Sequence, residues 1–166
     1  ADIVKAEFKL KKESESLNFL ESKNIINTSK QSVSVHIRRG DYVAVKANSA
    51  FWGIASKEYY GKAMEYISSK IDSPVFYFFS DDIEWVKKEF GEDKGFVFIS
   101  KPELQDYEEL TLMSSCSHNI IANSSFSWWG AWLNTNPEKI VVCPKKWLNT
   151  IPNPHPNIIP NSWVSV

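Results

Sequence analysis

The alternation of apolar and polar residues predicts strands along the chain. Val33, Val35 and Ile37 alternate with polar residues, and a period of two in β-branched residues indicates a strand. The segment 75–80, VFYFFS, is apolar and aromatic as far as Phe79, as expected for a strand that is covered on both faces of a sheet. Further strands are predicted over 96–99, 119–122 and 140–143.

Apolar residues at helical spacing predict helices between these strands. Leu17 and Leu20 lie on one face of a helix predicted over 13–26. Ser56 is the predicted N-cap of the next helix, which the stretch 72–74, Asp-Ser-Pro, ends. Further helices are predicted over 83–90, 106–116 and 126–133.

Strands that are separated by short helices are typical of α/β proteins with right-handed crossovers and a parallel sheet. The chain has 166 residues, of which 43% are hydrophobic, enough for one ordinary core. We therefore predict one Rossmann-like α/β domain over residues 1–166, with residues 1–30 as a helical lead-in. The stretch from Gly40 to Ala55 is a long predicted loop, and loops of that length are usually functional or disordered.

Polar clusters follow three of the predicted strands. HIRRGD follows the first strand, SDD ends the second, and NSSFS joins a later strand to a helix. Open parallel sheets bind ligands at the carboxyl ends of their strands. We therefore expect these three clusters to form one ligand site.

Arg38 and Arg39 are the only arginines in a chain that has seventeen lysines. A guanidinium is a planar fork that can donate two parallel hydrogen bonds to one phosphate, so two adjacent arginines suit a diphosphate. The alternative is a structural salt bridge with the nearby Asp41. His36 is either a satisfied core histidine or, because it precedes the arginines, a ligand-binding residue.

Ser80, Asp81 and Asp82 form the second cluster. A carboxylate can accept both the N1 and the exocyclic amino hydrogens of a guanine, which makes base recognition a natural role for one aspartate. Two alternatives remain open, namely capping of the helix that begins at Ile83 and a divalent metal site. A metal is less needed where arginines already neutralise phosphates.

The third cluster has the small hydroxyl residues and free backbone amides of an anion site at a helix N-terminus. A plain N-cap is the alternative. The residues of this cluster are Asn123, Ser124, Ser125, Phe126 and Ser127.

Composition excludes some classes of function. The net charge is −1 and the pI is about 6.4, so no strong field attracts nucleic acid or an anionic membrane. No apolar run approaches the ~20 residues of a spanning helix. Cys116 and Cys143 fit two buried core thiols rather than a disulfide framework. We expect a cytoplasmic protein that is at most peripherally associated with the inner face of the membrane.

Three runs of sequence carry a family resemblance. VSVHIRRGDYV, YFFSDD followed by Trp85, and NIIANSSFSWWGAWLN resemble, in order, the three motifs of bacterial α-1,2-fucosyltransferases. The resemblance implies the C-terminal, donor-binding half of a GT-B enzyme, with the N-terminal, acceptor-side domain absent from these residues. It implies transfer of L-fucose from GDP-β-L-fucose to the 2-hydroxyl of a galactose-containing glycan, with inversion and without a required metal or other cofactor.

The resemblance also implies roles for individual residues. It assigns Arg38 and Arg39 to the diphosphate, and Ser125 and Ser127 to phosphate oxygens. It assigns His36 and one of Asp81 and Asp82 to the guanine.

Catalysis by inversion needs stabilisation of the departing GDP and a base for the acceptor hydroxyl. Arg38 and Arg39 are the candidates for the first role. Asp41 is a candidate base. The alternative is that Asp41 pairs with the arginines and that the base lies in the absent half. The rival interpretations are a fucosyltransferase of another linkage and a non-catalytic carbohydrate-binding module, which the seven tryptophans could serve.

Overall fold

A computed structural model describes residues 2–40, 43, 53–91, 95–148 and 158–166. The strands are β1 (Ser32–Ile37), β2 (Val75–Ser80), β3 (Phe96–Phe98), β4 (His118–Ile120), β5 (Val141–Cys143) and β6 (Val164–Ser165). The helices are α1 (Asp2–Glu7), α2 (Leu17–Asn27), α3 (Lys57–Ser68), α4 (Ile83–Phe90), α5 (Asp106–Ser115) and α6 (Ser125–Leu133), with a 3₁₀ turn at Lys12–Ser14. In the described part of the chain, the strands form one parallel sheet in the order β3-β2-β1-β4-β5-β6. The predicted α/β class with a Rossmann-like parallel sheet is confirmed.

The predicted elements agree with the structure within a few residues at most ends. The helix predicted over 13–26 begins only at Leu17, because the hydroxyl of Ser16 caps it by accepting from the Phe19 amide at 3.1 Å. Helix α1 and strand β6 were not predicted. Of the predicted loop, the structure describes Gly40, Val43 and 53–55; the first two are helical, and the Val43 amide donates to the Arg39 carbonyl at 2.8 Å.

Helices cover both faces of the sheet. On one face, Tyr60 of α3 belongs to the same buried cluster as Val35 of β1. On the other face, Phe19 of α2 and Leu112 of α5 share a buried cluster with Phe79 of β2. This double coverage explains why VFYFFS is apolar without alternation. Cys116 and Cys143 are buried free thiols, as predicted.

The polar residues of β1 are also buried, on the side of the sheet that α5 and α6 cover. Ser34 accepts a hydrogen bond from the side-chain amide of Asn119 on β4 at 2.7 Å. Asn119 also donates to the Met113 carbonyl at 2.9 Å. The alternation in β1 therefore separates an apolar buried face from a hydrogen-bonded buried face rather than core from solvent.

Two tyrosines of α3 hold that helix against the sheet. The Tyr59 hydroxyl donates to the carbonyl of Ile121 at 2.6 Å, and the Tyr60 hydroxyl donates to the carbonyl of His36 at 3.1 Å. Burial raises the pKa of both tyrosines, so both hydroxyls remain donors. Tyr60 thereby fixes the end of β1, where the arginine motif begins.

Two helical glycines differ in the space around them, which gives a matched stability test. A methyl group at Gly61 of α3 would meet nothing within 4 Å, whereas one at Gly130 of α6 would lie 3.0 Å from Met113 Cε and 3.2 Å from its Cβ. We expect Gly61→Ala to raise the free energy of unfolding by about 0.5–1 kcal/mol, because alanine is the better helix former. Gly130→Ala should gain less or lose stability, because Met113 must move. Urea unfolding measures both, and an equal gain would contradict the close packing of α5 on α6.

Candidate functional site

The strand order reverses between β1 and β4, since the chain builds outward from β1 to β3 and then returns to the other side of β1. Open α/β sheets bind ligands beyond the carboxyl ends of the strands at such a reversal. A cleft of about 760 Å³ lies there. Its walls include His36, Arg38, Asp81, Ser100, Ser124 and Ser125. The three polar clusters that the sequence places at strand ends therefore contribute to one cleft.

Pairing of β1 with β2 brings the arginines next to the aspartates. Ile37 is in register with Ser80, so the residues that follow each strand lie side by side. Arg38 Nη1 lies 3.0 Å from Asp81 Oδ2, and the Arg39 amide donates to Asp81 Oδ1 at 2.9 Å. The Arg38 side chain is 34% exposed and lines the cleft, so a ligand there can reach it.

Gly40 allows this close approach of the two strand ends. A Cβ atom at Gly40 would lie 2.5 Å from Asp81 Oδ2, which is closer than any van der Waals contact. Because Asp81 is itself held by Arg38 and by the Arg39 amide, its carboxylate has little room to move. The glycine of the motif is therefore required by packing at the site.

Arg39 lies behind the cleft rather than in its wall. Its Nε contacts Asp82 Oδ2 at 3.2 Å, and its guanidinium stacks 3.6 Å from the centroid of the Trp85 ring. The side chain is 15% exposed. The structural salt bridge that was one alternative for the arginines therefore exists, and among the described residues its carboxylates are those of Asp81 and Asp82. Asp41, the predicted partner and candidate base, lies outside the described residues.

Asp82 and Ser80 shape the turn that leads from β2 into α4. Asp82 Oδ1 accepts from the Trp85 amide at 3.3 Å, which is the predicted N-cap of α4. The Ser80 hydroxyl accepts from the Asp82 amide at 3.0 Å, and the Ser80 amide donates to Ser100 Oγ at 2.9 Å. Capping is thus confirmed for one aspartate.

His36 is a buried, neutral histidine that lines the cleft. Its Nδ1 lies 3.0 Å from Ser127 Oγ, which accepts from the Ala122 amide at 2.9 Å. Burial lowers the pKa of His36 to about 4; Asp81 opposes this shift and Arg38 adds to it. The Ser127 hydroxyl is therefore engaged in a buried chain of hydrogen bonds that ties α6 to the end of β1.

The remaining residues of the third cluster differ in their environment. The buried Asn123 donates to the carbonyl of Trp147 at 3.0 Å and to that of Gly53 at 3.3 Å, so it ties segments of the cleft wall together. Ser124 is the N-cap residue of α6, yet its side chain makes no capping hydrogen bond. Ser125 is exposed at the first turn, and the partly buried Phe126 also lines the cleft. The N-terminus of α6 can therefore bind an anion in the cleft.

Two further residues of the cleft wall, Ser100 and Glu109, were not indicated by any sequence pattern. Ser100 follows β3, and Glu109 lies on α5 among other acidic residues, so neither belongs to a polar cluster that is distinct in the sequence. Burial, opposed by a hydrogen bond from Ser100 and assisted by the nearby charges of Asp106 and Asp81, raises the pKa of Glu109 to about 7. A carboxyl group in this state is a candidate functional group.

Among the described residues there is neither a cluster of metal ligands nor a helix that could span a membrane. Within residues 2–40, 43, 53–91, 95–148 and 158–166, no three His, Cys, Asp or Glu side chains are grouped as a metal ion would require. In the same ranges, no helix has the length and apolar character needed to cross a membrane. The expectation that no metal is required stays a prediction.

The low pKa of His36 predicts a loss of stability in mild acid. The unfolded chain binds a proton at His36 near pH 6.5, whereas the folded chain binds it only near pH 4. The free energy of unfolding should therefore fall as the pH drops through this window, by about 2 kcal/mol between about pH 7.5 and pH 5. Urea unfolding of wild type and His36→Gln at both pH values tests this. An equal pH dependence in the two proteins would show that His36 is not the cause.

The chain is similar to known proteins over most of its length. The model of glycosyl transferase family 11 matches residues 4–165. The chain is 39% identical over 145 residues to the O-antigen biosynthesis glycosyltransferase WbnK of Escherichia coli, covering 87% of this chain and 47% of that protein. It is 38% identical over 141 residues to an alpha-1,2-colitosyltransferase of Escherichia coli, covering 81% of this chain and 47% of the relative.

A mammalian relative is also similar. The galactoside 2-alpha-L-fucosyltransferase Sec1 of Mus musculus is 30% identical over 140 residues, which is 81% of this chain and 38% of the mouse protein. The chain thus spans less than half the length of these relatives. The resemblance predicted from the three sequence motifs is confirmed. Because the family model matches nearly every residue, the chain belongs to glycosyl transferase family 11.

Proposed function

We propose that this chain is the donor-binding half of an inverting glycosyltransferase that moves L-fucose from GDP-β-L-fucose to the 2-hydroxyl of a galactoside. The observation that carries this proposal is the position of Arg38, which lines the cleft at the reversal of the strand order together with the N-terminus of α6. Both groups favour a phosphate, one through a charged fork and the other through backbone amides and the helix dipole. A cleft of about 760 Å³ is within the range of small-molecule sites.

The same groups would assist departure of GDP. Negative charge grows on the β-phosphate as the bond to the sugar breaks, so donors aimed at that phosphate act more strongly in the transition state than in the ground state. Arg38 is the residue that the geometry best supports for this role. His36 is neutral near pH 7, so it adds a hydrogen-bonding ring but no charge.

The geometry supports a different role for Arg39. Its contacts with Asp82 and Trp85 direct the guanidinium away from the cleft wall, so its effect on a phosphate would be indirect, through the position of the strand end. Contact between Arg39 and the diphosphate stays a prediction. The role of Asp41 as the base also stays a prediction, and the alternative is a base in the acceptor-side half.

Recognition of guanine by Asp81 or Asp82 also stays a prediction. Both carboxylates already accept from the arginine segment and, in the case of Asp82, from the Trp85 amide. A guanine that approached either one would have to share or displace these donors. The phosphate roles predicted for Ser125 and Ser127 also stay predictions. The geometry favours Ser125, which is exposed at the helix N-terminus, over Ser127, which is buried against His36.

The tryptophans favour an enzyme over a carbohydrate-binding module. Trp147 and Trp163 are buried in one cluster, and Trp85 lies beneath Arg39. Trp128 and Trp132 of α6 are partly buried and pack against the same cluster, and both contact Trp129. Most of the described indoles therefore serve packing, whereas a sugar-binding module needs them as open platforms.

A second donor sugar has specific support. The colitosyltransferase is more similar to this chain than the mouse fucosyltransferase is, at 38% against 30% identity. Colitose is L-fucose without its 3-hydroxyl group, so the two donors would place the same phosphates and base in the cleft. Assays with both nucleotide sugars on the full-length enzyme distinguish them.

Substitution of Arg38 tests the phosphate site. We expect Arg38→Lys to weaken GDP binding by about 2 kcal/mol, or roughly thirtyfold in Kd, because the lysine keeps the charge but loses the fork. Isothermal titration with GDP measures the change. Lys62→Gln, which removes an exposed positive charge from α3, is the control and should bind as wild type does. Equal affinity of Arg38→Lys and wild type would reduce Arg38 to a counter-charge for Asp81.

Donor binding and sugar transfer should separate in the 166-residue chain. The 166 residues contain the whole described cleft, but transfer also needs closure over the donor and an oriented acceptor, and orientation alone can lower a barrier by ~7–11 kcal/mol. We expect micromolar to millimolar affinity for GDP, or roughly −4 to −8 kcal/mol, and no fucosylated product. Titration with GDP beside a product assay with lactose as the acceptor tests both parts. Measurable product from this chain alone would overturn the half-enzyme proposal.

A further inference from the structure

Glu109 lies in the wall of the cleft, on the side formed by α5. It is a partly buried carboxyl group, and it shares the cleft wall with Ser100, Lys101 and Asp106. No lysine or arginine of the described ranges lies within ion-pairing distance of it. A half-buried acidic group without a counter-ion costs stability, so its place in a binding cleft calls for a functional explanation.

Glu109 differs in this respect from the aspartates that follow β2. Asp81 is held by Arg38 and by a backbone amide, and Asp82 is held by Arg39 and by the first turn of α4. Both carboxylates thus have their hydrogen bonds within the protein. Of these three carboxylates, Glu109 is the one without an ion pair in the described ranges, and the Ser100 hydroxyl is the hydrogen-bond donor beside it.

The charges in the cleft indicate which part of a nucleotide would lie near Glu109. Arg38 and the N-terminus of α6 form a wall that attracts phosphate, whereas Glu109 and Asp106 on α5 repel it. Lys101, which lies beside these two carboxylates, is paired with Glu21 at 3.7 Å. A nucleoside diphosphate would therefore place its phosphates towards the first wall. Its nucleoside, which is neutral and carries N–H and O–H donors, would lie towards α5.

We propose that Glu109 is a specificity-determining residue that accepts hydrogen bonds from a pair of adjacent donors on the nucleoside. Two sources carry such a pair, namely the N1 and exocyclic amino hydrogens of guanine and the two hydroxyls of the ribose. A carboxylate can accept both donors of either pair at once. The inference rests on the proposed function, since it requires that a nucleoside diphosphate occupies the cleft.

This role makes binding depend on pH. The groups that face Glu109 are Asp81 after β2, Lys101 after β3, Asp106 on its own helix and, across the cleft, Arg38 and His36. Burial with the nearby aspartates raises the pKa of Glu109 to about 7. Only the ionised form accepts from both donors, so affinity should rise as the pH increases through 7.

Titration calorimetry with the 166-residue chain tests the proposal. Wild type, Glu109→Gln and the control Glu103→Gln, which changes an exposed glutamate outside the cleft wall, are titrated with GDP at about pH 6 and pH 8. We expect Glu109→Gln to weaken GDP binding at least tenfold at pH 8 and to bind with a smaller pH dependence. Its affinity for inorganic pyrophosphate should not fall, because the substitution removes a negative charge from the cleft, and this separates recognition of the nucleoside from a general structural effect.

Two analogues identify the source of the donors. IDP lacks the exocyclic amino group of guanine, and 2′-deoxy-GDP lacks one ribose hydroxyl. One of them should bind wild type more weakly than GDP does, while Glu109→Gln should not distinguish that analogue from GDP.

Three outcomes would overturn the inference. If Glu109→Gln binds GDP as wild type does, or loses pyrophosphate and GDP equally, Glu109 does not read the nucleoside, although the proposed function stands. The same conclusion follows if the variant still discriminates against both analogues as wild type does. If the folded wild type binds neither GDP nor pyrophosphate, the proposed function fails, and this inference fails with it.

Discussion

The ion pairs between the residues that follow β1 and those that follow β2 determine the geometry of the candidate site. Two adjacent guanidinium groups would repel each other, and each is costly to desolvate unless a carboxylate accompanies it. The register of β1 with β2 supplies these carboxylates, because Arg38 meets Asp81 and Arg39 meets Asp82. Because the Arg39 side chain is fixed against Trp85 of α4, the backbone after β1 is held in one conformation. In that conformation the Arg38 side chain lies in the wall of the cleft.

The pairing of Arg38 with Asp81 does not prevent it from binding a phosphate. A guanidinium has five N–H donors in a rigid fork, and the contact with Asp81 is made through Nη1. Asp81 also holds the Arg39 amide, so it anchors the strand end whether or not a ligand is present. The aspartate is thus better placed to orient the arginine than to compete for it, and orientation before binding is what strengthens an electrostatic site.

Periodicity predicted the strands and helices because burial leaves a strong pattern, which is continuous in VFYFFS, buried on both faces, and amphipathic in the helix 83–90. The parallel sheet then predicted that the clusters at its carboxyl ends would meet. What could not be predicted depends on contacts between distant residues. Nothing local indicates that Trp85 would cover Arg39 and not Arg38. Glu108 and Glu109 are also alike in sequence, yet Glu108 is buried and accepts from the Ser16 amide at 2.8 Å, while its neighbour lines the cleft.

The buried chain from His36 through Ser127 to the Ala122 amide links the two walls that attract phosphate. A buried polar group without a partner is costly, so each member of this chain restricts the others to one arrangement. The chain joins the residue two positions before Arg38 to the first turn of α6, whose N-terminus faces the same cleft. The distance between guanidinium and helix terminus is therefore set by the protein interior rather than by the ligand. A neutral histidine suits this task, since a protonated ring beside Arg38 would repel it, and the low pKa of His36 keeps the ring neutral near pH 7.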